Sequence, residues 1–329
     1  MTALLPRIGH VVIARPQFDT AYADELLQRA WPVLDGLDAE LVGSRDPMFD
    51  AAAVDAAIPA LRAKPPDLLL ILQATFADSS MVVKLADSLP APIVLWSFPE
   101  PRTGGRLRLN TICGTNLAAH ALGRLGASFT FLHREPDDPE IPARITALAR
   151  AAGIKRKLAE TRIGVVGDYP DGFESCRYDP DALESLCGVE TRKISIGEFL
   201  GKVREVPDEA IGPVRTRVEA ELGDLSDLDQ ESLGKSLKVY KALRGLADDG
   251  GFSGVAVRCW PEFFTELGAA ACGPMGMMGE DGTPCGCEAD VYGTLTTMIL
   301  RWLANQPAFN SDLVDVDVTD GYDQPQQKG

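Results

Sequence analysis

The hydrophobic pattern of the first half of the chain alternates short apolar runs with longer segments of helical period. Strands that are apolar throughout and are separated by helices indicate a parallel sheet covered on both faces. The pattern predicts strands at 11–14, 40–42, 67–72, 93–96 and 128–132, and helices around 21–33, 52–63, 79–88 and 116–125. We therefore expect a doubly wound α/β domain over residues 1–160.

A second unit of the same kind is predicted after a charged helix that ends near Glu160. The predicted strands are 162–167, 191–196 and 253–257, and the predicted helices are 181–186, 208–222, 231–247 and 291–304. The fold class is thus α/β with two doubly wound (Rossmann/flavodoxin-like) parallel-sheet domains, the second over 161–310. From Asp312 onward apolar and acidic residues alternate with period two, which predicts one half-exposed strand before a polar tail.

Composition and charge narrow the class of protein. The chain has 329 residues, of which 45% are hydrophobic, and its formal net charge is −16. Such an acidic surface repels phosphate backbones and anionic lipids, so we expect neither nucleic acid nor membrane as a partner. Seven cysteines in a long chain do not indicate a disulfide scaffold. These features predict a cytoplasmic protein that acts on a small molecule.

The segment 258–317 carries the candidate chemistry. It runs from the end of a strand through a Gly/Pro/Met-rich loop to Glu288 and Asp290 at the start of a helix, and then to Asp312 at the next strand. Two carboxylates at element ends, Glu288 and Asp312, suit a hard divalent cation and proton transfer beside it. The alternative is that Glu288 only caps the helix N-terminus, where a carboxylate is favoured in any case.

Two further signals are weaker. Cys259, Cys272, Cys285 and Cys287 could hold zinc or an iron–sulfur cluster or act in redox chemistry, but their spacing is not C-x-x-C, and small buried thiols explain them as well. A nucleophilic mechanism lacks a recognisable base, because all three histidines lie in the first half and none belongs to a nucleophile motif.

Several motifs together resemble the L-fucose isomerase-like proteins, which are related to L-arabinose isomerases. The resemblance covers nearly the whole chain, and its two most specific motifs are Arg258-Cys-Trp260 and Cys287-Glu288-Ala-Asp290-Val-Tyr-Gly293. The supporting segments are Arg15-Pro16-x-x-Asp19, the residues LWSFPEP at 95–101, CGTN at 113–116 and RIGVVGDYPDGF at 162–173.

The resemblance implies a metal-dependent aldose–ketose isomerase of carbohydrate metabolism, working through an enediolate. It implies that Glu288 and Asp312 are metal ligands, that one or both also act as acid and base, and that the ion is Mn²⁺ (or Mg²⁺ or Co²⁺). Arg258 and Trp260 would line the sugar site, and Arg15 and Phe76 are further substrate-binding candidates. The substrate stays open among a 6-deoxyhexose, a pentose and a sulfonated hexose.

One departure concerns the third domain of the family, a largely β domain that supplies a metal-binding histidine. Here no histidine follows His133. We therefore expect 311–329 to be the start of a truncated or separately encoded β domain, with a second polypeptide, a homo-oligomer or both completing the site. In the family the N-terminal domain of one subunit covers a neighbour's site, where Arg15 would act. The alternatives are a non-catalytic sugar-binding or assembly subunit of the same fold and a thiolate metal or redox protein.

Overall fold

A computed structural model describes residues 4–311 of the chain. Within them the chain divides into two compact units, residues 4–156 and 157–311. The predicted strand after Asp312, and Asp312 itself, lie outside the described residues.

The first unit contains a parallel five-stranded sheet in the order β2-β1-β3-β4-β5. This is the flavodoxin-like order, in which the chain winds outward in both directions from β1 and β3. Its strands are β1 Arg7–Ile13, β2 Glu40–Met48, β3 Leu68–Gln73, β4 Ile93–Ser97 and β5 Phe129–His133, and its helices are α1 Thr20–Asp35, α2 Ala51–Ala63, α3 Ser80–Ser88, α4 Thr111–Leu125 and α5 Ile141–Leu158.

The central strands of this sheet are apolar on both faces because helices cover both faces. Along β3, Leu70 and Leu72 belong to one apolar cluster and Leu69 and Ile71 to another, as expected when successive side chains point to opposite sides. All six residues of β3 are buried. The doubly wound architecture predicted from the apolar runs is therefore confirmed.

The second unit contains a parallel four-stranded sheet in the order β7-β6-β8-β9. Its strands are β6 Arg162–Val166, β7 Glu190–Ile194, β8 Gly254–Val257 and β9 Cys285–Gly286, and its helices are α6 Pro180–Cys187, α7 Ile196–Glu205, α8 Gly212–Leu222, α9 Gln230–Gly250, α10 Cys272–Glu280 and α11 Val291–Ala304. Two parallel sheets confirm the predicted fold class.

Several elements differ from the prediction, and three of them bear on the second unit or on the helix after β4. The segment expected to be a Gly/Pro/Met-rich loop contains α10, whose Met275 and Met278 pack into the core and outweigh the low helix propensity of its glycines. The strand predicted over 191–196 ends at Ile194, because Ser195 accepts a hydrogen bond from the Glu198 amide and starts α7. Helix α4 begins at Thr111, earlier than the predicted 116.

None of the helices within residues 4–311 combines the length and apolar character needed to cross a bilayer.

A buried histidine makes the first unit sensitive to acid. His10 in β1 packs edge-on against Trp31, and neither of its nitrogens forms a hydrogen bond among the described residues. Burial, helped by the nearby Arg45, lowers the pKa of His10 from 6.5 to about 4. Because the pKa of His10 is lower in the folded state than in the unfolded state, protons bind the unfolded state more readily. His10 therefore costs no stability above pH 6.5, and the free energy of unfolding falls as the pH is lowered towards 4.

We expect His10→Phe to flatten the pH dependence of stability. The folded protein should lose about 3 kcal/mol of unfolding free energy from this residue between near-neutral and acidic pH, and the variant should not. Urea unfolding across this pH range measures the difference. The exposed His120 provides the control, since His120→Gln should leave the wild-type curve unchanged. Identical acid sensitivity in His10→Phe and wild type would contradict the assignment.

Candidate active site

The carboxyl edge of the second sheet forms the candidate site. In open parallel sheets, ligands bind beyond the strand ends at the point where the strand order reverses, which here lies between β6 and β8. Gly167 follows β6 and Arg258 follows β8. Gly167 has φ +80°, and a Cβ there would lie 2.8 Å from the Cβ of Arg258. The glycine thus lets Arg258 reach this edge.

Arg258 is fixed by its neighbours. Its Nε donates to Glu262 Oε2 at 2.8 Å, and its Nη1 donates to the carbonyl oxygens of Asp168 and Tyr169 at 3.4 and 3.3 Å. Although burial opposes it, the hydrogen bond from Arg258 holds the pKa of Glu262 below its usual value. A guanidinium held by a carboxylate and two carbonyls is an oriented positive charge that can bind an oxyanion or a hydroxyl group.

Trp260, two residues after Arg258, forms an exposed aromatic pair with Phe264. Its side chain is 51% exposed, and its ring packs on that of Phe264 with centroids 5.8 Å apart. Phe264 belongs to a π-helical turn at Phe263–Leu267, a type of turn often found at functional sites. An exposed indole beside an oriented arginine offers an apolar surface for the face of a sugar ring.

Glu288 is presented by a strained backbone. It lies between β9 and α11 with φ 48° and ψ 29°, in the left-handed region that non-glycine residues rarely adopt. Asp290 caps α11, because its Oδ1 accepts a hydrogen bond from the Gly293 amide at 2.8 Å. The alternative that Glu288 is the helix cap is therefore wrong, and Asp290, which directly precedes the predicted helix start at 291, is the N-cap residue.

Two thiols lie against Glu288. The Sγ atoms of Cys259 and Cys287 and a carboxylate oxygen of Glu288 all lie within 4.8 Å of one another. The two sulfur atoms are 3.0 Å apart, and the Cys259 thiol donates to Glu288 Oε1 at 3.5 Å. The hydrogen bond with Cys259, burial and the nearby charges of Cys259 and Glu288 all raise the pKa of Cys287.

The other two cysteines of the thiolate hypothesis do not join this cluster. Among the described residues, the group able to hold an ion contains neither Cys272 nor Cys285. Cys272 is exposed, and burial raises the pKa of Cys285 to about 12, which makes it a poor ligand at neutral pH. The four-cysteine site considered from the sequence is thus reduced to one pair of thiols.

Within this cluster, the Glu288 carboxylate is the donor that suits a hard divalent cation. Its carboxylate is half-buried, and no lysine or arginine within residues 4–311 forms an ion pair with it, although burying an unpaired charge is costly. A carboxylate oxygen is a ligand that Mn²⁺ and Mg²⁺ prefer, whereas the neighbouring sulfurs are softer donors. A second oxygen ligand would have to come from elsewhere, and the predicted one, Asp312, lies outside the described residues.

Arg15 and Phe76 lie at the corresponding edge of the first sheet. They follow β1 and β3, on either side of the strand-order reversal. The Arg15 amide donates to Thr75 Oγ1 at 2.8 Å, and the Arg15 guanidinium pairs with Asp78. The Phe76 ring packs on Phe18 at 5.5 Å. The structure therefore brings Arg15 and Phe76 to one edge of the first unit.

An arginine-rich loop at this edge was missed by the sequence analysis. Arg106 lies over the ring of Phe18 at 5.7 Å, and Arg108 lies over Tyr22 at 3.9 Å while pairing with Asp19 at 2.8 Å. The signal that could have found it is the run RTGGRLR at 102–108, three arginines in seven residues of a chain with net charge −16. Asp19 pairs with Arg108 and Asp78 with Arg15, while Arg106 forms no ion pair among the described residues.

Fold and site together define a two-unit doubly wound α/β protein with a carboxylate, an oriented arginine and an exposed tryptophan at one sheet edge. Residues 9–159 match the family described as fucose/sulfoquinovose isomerase, N-terminal domain. The chain is 31% identical over 310 residues to a sulfoquinovose isomerase of Priestia aryabhattai, covering 94% of this chain and 69% of the relative. A sulfoquinovose isomerase of Alkalicoccus urumqiensis is 30% identical over 313 residues, with coverages of 93% and 69%.

The chain belongs to the fucose/sulfoquinovose isomerase family, and the predicted resemblance is confirmed. A periplasmic solute-binding protein of Actinobacillus succinogenes with bound D-allose aligns over 94% of the chain at 12% identity. Its TM-score of 0.22 is too low to support any argument.

Proposed function

We propose that this chain carries the metal-binding and proton-transfer centre of a sugar aldose–ketose isomerase. The observation that supports it best is Glu288, a half-buried carboxylate without a cationic partner among the described residues, held in a strained conformation at a ligand-binding sheet edge. Strain of this kind costs about 1–3 kcal/mol and persists mainly where function uses the conformation.

The reaction moves a proton between two adjacent carbons, and Glu288 is our candidate to carry it. Its carboxylate would take the proton from C2 of the aldose and return it to C1, a role worth about 10²–10⁴-fold in rate. A bound Mn²⁺ (or Mg²⁺ or Co²⁺) supplies Lewis-acid stabilisation of the negative charge on the sugar oxygens. Glu288 would be one ligand of this ion and Asp312, as the family resemblance implies, another ligand and acid–base group.

Arg258 and Trp260 would orient the sugar. The guanidinium of Arg258 is held by Glu262, which leaves it oriented to bind a substrate oxygen. The exposed indole of Trp260 would pack against the sugar ring and keep water from that face. Neither residue transfers a proton in this scheme, so their removal should act mainly on substrate binding.

We favour a sulfonated hexose as the substrate. The support comes from the names of the relatives, which are sulfoquinovose isomerases, and from Arg106, which lies over Phe18 at the edge of the first sheet. Within residues 4–311, Arg106 forms no ion pair with a carboxylate, so its positive charge is available to bind an anion. Arg15 and Phe76 at the same edge would contact the substrate in an assembled homo-oligomer, as family resemblance implies.

We expect Arg106→Gln to weaken turnover of the sulfonated sugar selectively. A charge-assisted hydrogen bond is worth about 1.5–3 kcal/mol, so KM for the sulfonated hexose should rise roughly tenfold or more. Turnover of a neutral aldose should change little. Arg124→Gln, at an exposed position near the end of α4, serves as control. Equal effects of Arg106→Gln on both sugars would contradict a role in anion binding.

Solvent deuterium exchange tests the function directly. The chain, with Mn²⁺ and with or without a candidate β-domain polypeptide, is incubated with sulfoquinovose or L-fucose in D₂O, and label at C1 or C2 is followed by NMR. Exchange that a chelator abolishes supports the proposal. Exchange by the chain that chelation leaves unchanged would contradict the metal–carboxylate mechanism.

The second candidate is a non-catalytic sugar-binding or assembly subunit of the same fold. It is favoured by the donor set within reach of Glu288, where the described residues add two sulfurs and no second carboxylate. This alternative predicts sugar binding in calorimetry with no deuterium exchange under any combination of metal and partner.

A further inference from the structure

The paired thiols beside Glu288 have no role in the proton transfer. Cys259 follows β8 and Cys287 follows β9, and these strands are paired in register at Val255–Cys285 and Ala256–Gly286. The pairing brings two cysteines that are 28 positions apart to a sulfur–sulfur distance of 3.0 Å. Cys259 is buried and Cys287 is half-buried.

We propose that Cys259 and Cys287 form a reversible disulfide, and that its formation weakens cation binding at Glu288. A disulfide needs a sulfur–sulfur distance of about 2.05 Å, so the two sulfurs need to approach by only about 1 Å. The second part of this inference rests on the proposed function, and the first part does not.

Hydrogen peroxide, or another peroxide of its class, is the oxidant required. The sulfur of one of the two cysteines attacks the peroxide, the O–O bond breaks, and that residue becomes a sulfenic acid with release of one water molecule. The sulfur of the other cysteine then attacks the sulfenic sulfur, the S–O bond breaks, the S–S bond forms, and the hydroxyl leaves with the proton of the attacking thiol as a second water. Two thiols and one peroxide thus give one disulfide and two waters, and a dithiol reductant reverses the change.

Oxidation would act on Glu288 through two contacts. The Cys259 thiol donates a hydrogen bond to Glu288 Oε1 at 3.5 Å, and a disulfide sulfur has no proton to donate. Cys287 precedes Glu288 in the chain, so drawing its sulfur towards Cys259 moves the backbone that holds the carboxylate at φ 48°. The carboxylate would therefore lose both its orienting contact and its position.

Peptide mapping of the wild-type protein tests the disulfide without relying on any variant. The protein is treated with hydrogen peroxide, remaining thiols are alkylated, and the digest is analysed by mass spectrometry with and without dithiothreitol. We expect one cross-linked peptide pair joining Cys259 to Cys287, lost on reduction. Recovery of both cysteines as alkylated thiols, or as sulfinic acids without the cross-link, would overturn the proposal.

Mn²⁺ titration followed by electron paramagnetic resonance tests the coupling to Glu288. Oxidised wild type should bind Mn²⁺ roughly 10–100-fold more weakly than reduced wild type, with recovery after dithiothreitol. Cys287→Ser and Cys259→Ser should bind Mn²⁺ equally before and after peroxide, and Cys113→Ser, at an exposed position in the first unit, should behave as wild type.

The outcomes separate the two parts. Equal Mn²⁺ affinity of the oxidised and reduced forms would overturn the coupling and leave the cross-link standing. Absence of Mn²⁺ binding in both forms would overturn the coupling together with the proposed metal site, while the mass spectra still decide the disulfide. Circular dichroism of each variant shows whether it is folded, and the wild-type comparison holds if one is not.

Discussion

Glu288→Gln should lower the rate of deuterium exchange into the sugar by about 10²–10⁴-fold, because the amide cannot accept and return the proton. The same variant should also bind Mn²⁺ more weakly. Loss of an outer-shell partner typically lowers metal affinity by roughly 10–100-fold, and we expect a larger loss here because a charged direct ligand is replaced by a neutral one. Exchange is followed by NMR in D₂O, and affinity by calorimetric titration.

The matched control is Glu266→Gln, which removes one exposed carboxylate from the same unit. It should leave both exchange and Mn²⁺ affinity near the wild-type values. If Glu288→Gln retained wild-type Mn²⁺ affinity, Glu288 would not be a ligand. If the variant retained the wild-type rate of exchange, Glu288 would not be the base. The roles of Glu288 as ligand and as base can therefore be refuted independently.

The doubly wound fold was predictable because its signal is local. Each buried strand, such as Leu68–Gln73, is a continuous apolar run, and the helices between strands carry their own start signals. The family was also predictable, because the motifs around Arg258 and Glu288 are contiguous in sequence. Segments whose structure depends on packing were missed, as α10 shows, because its glycine-rich sequence disfavours a helix until its methionines are buried.

The site was only partly predictable from the sequence because its geometry depends on contacts between residues that are far apart in the chain. The contact between Cys259 and Cys287 requires the pairing of β8 with β9, and β9 is only two residues long. The left-handed backbone of Glu288 and the capping role of Asp290 depend on how the chain enters α11. The positive φ of Glu288 has no sequence signature, since Cys-Glu-Ala-Asp contains no glycine to mark it, whereas Asp290 directly precedes the predicted helix, as N-cap residues do.

Gly286→Ala should displace Glu288 while leaving every candidate site residue unchanged. A Cβ at Gly286 would lie 2.2 Å from Thr294 Oγ1 and 2.5 Å from the Asp290 carbonyl oxygen, closer than atoms can approach. The clash involves backbone that belongs to the turn into α11, so the turn must shift. We expect a loss of about 1–3 kcal/mol in unfolding free energy, as for other overpacked sites, and a marked loss of Mn²⁺ affinity.

Gly276→Ala separates this effect from a general response to adding a methyl group. Gly276 lies in the neighbouring helix α10, and a Cβ there would have nothing within 4 Å, so alanine should fit and stabilise the helix by roughly 0.5–1 kcal/mol. Its Mn²⁺ affinity should equal that of wild type. Urea unfolding and calorimetric titration of both variants give the comparison. Wild-type affinity in a folded Gly286→Ala protein would show that the turn from β9 into α11 does not position the ligand, and Glu288 would then lose its structural support as the metal-binding carboxylate.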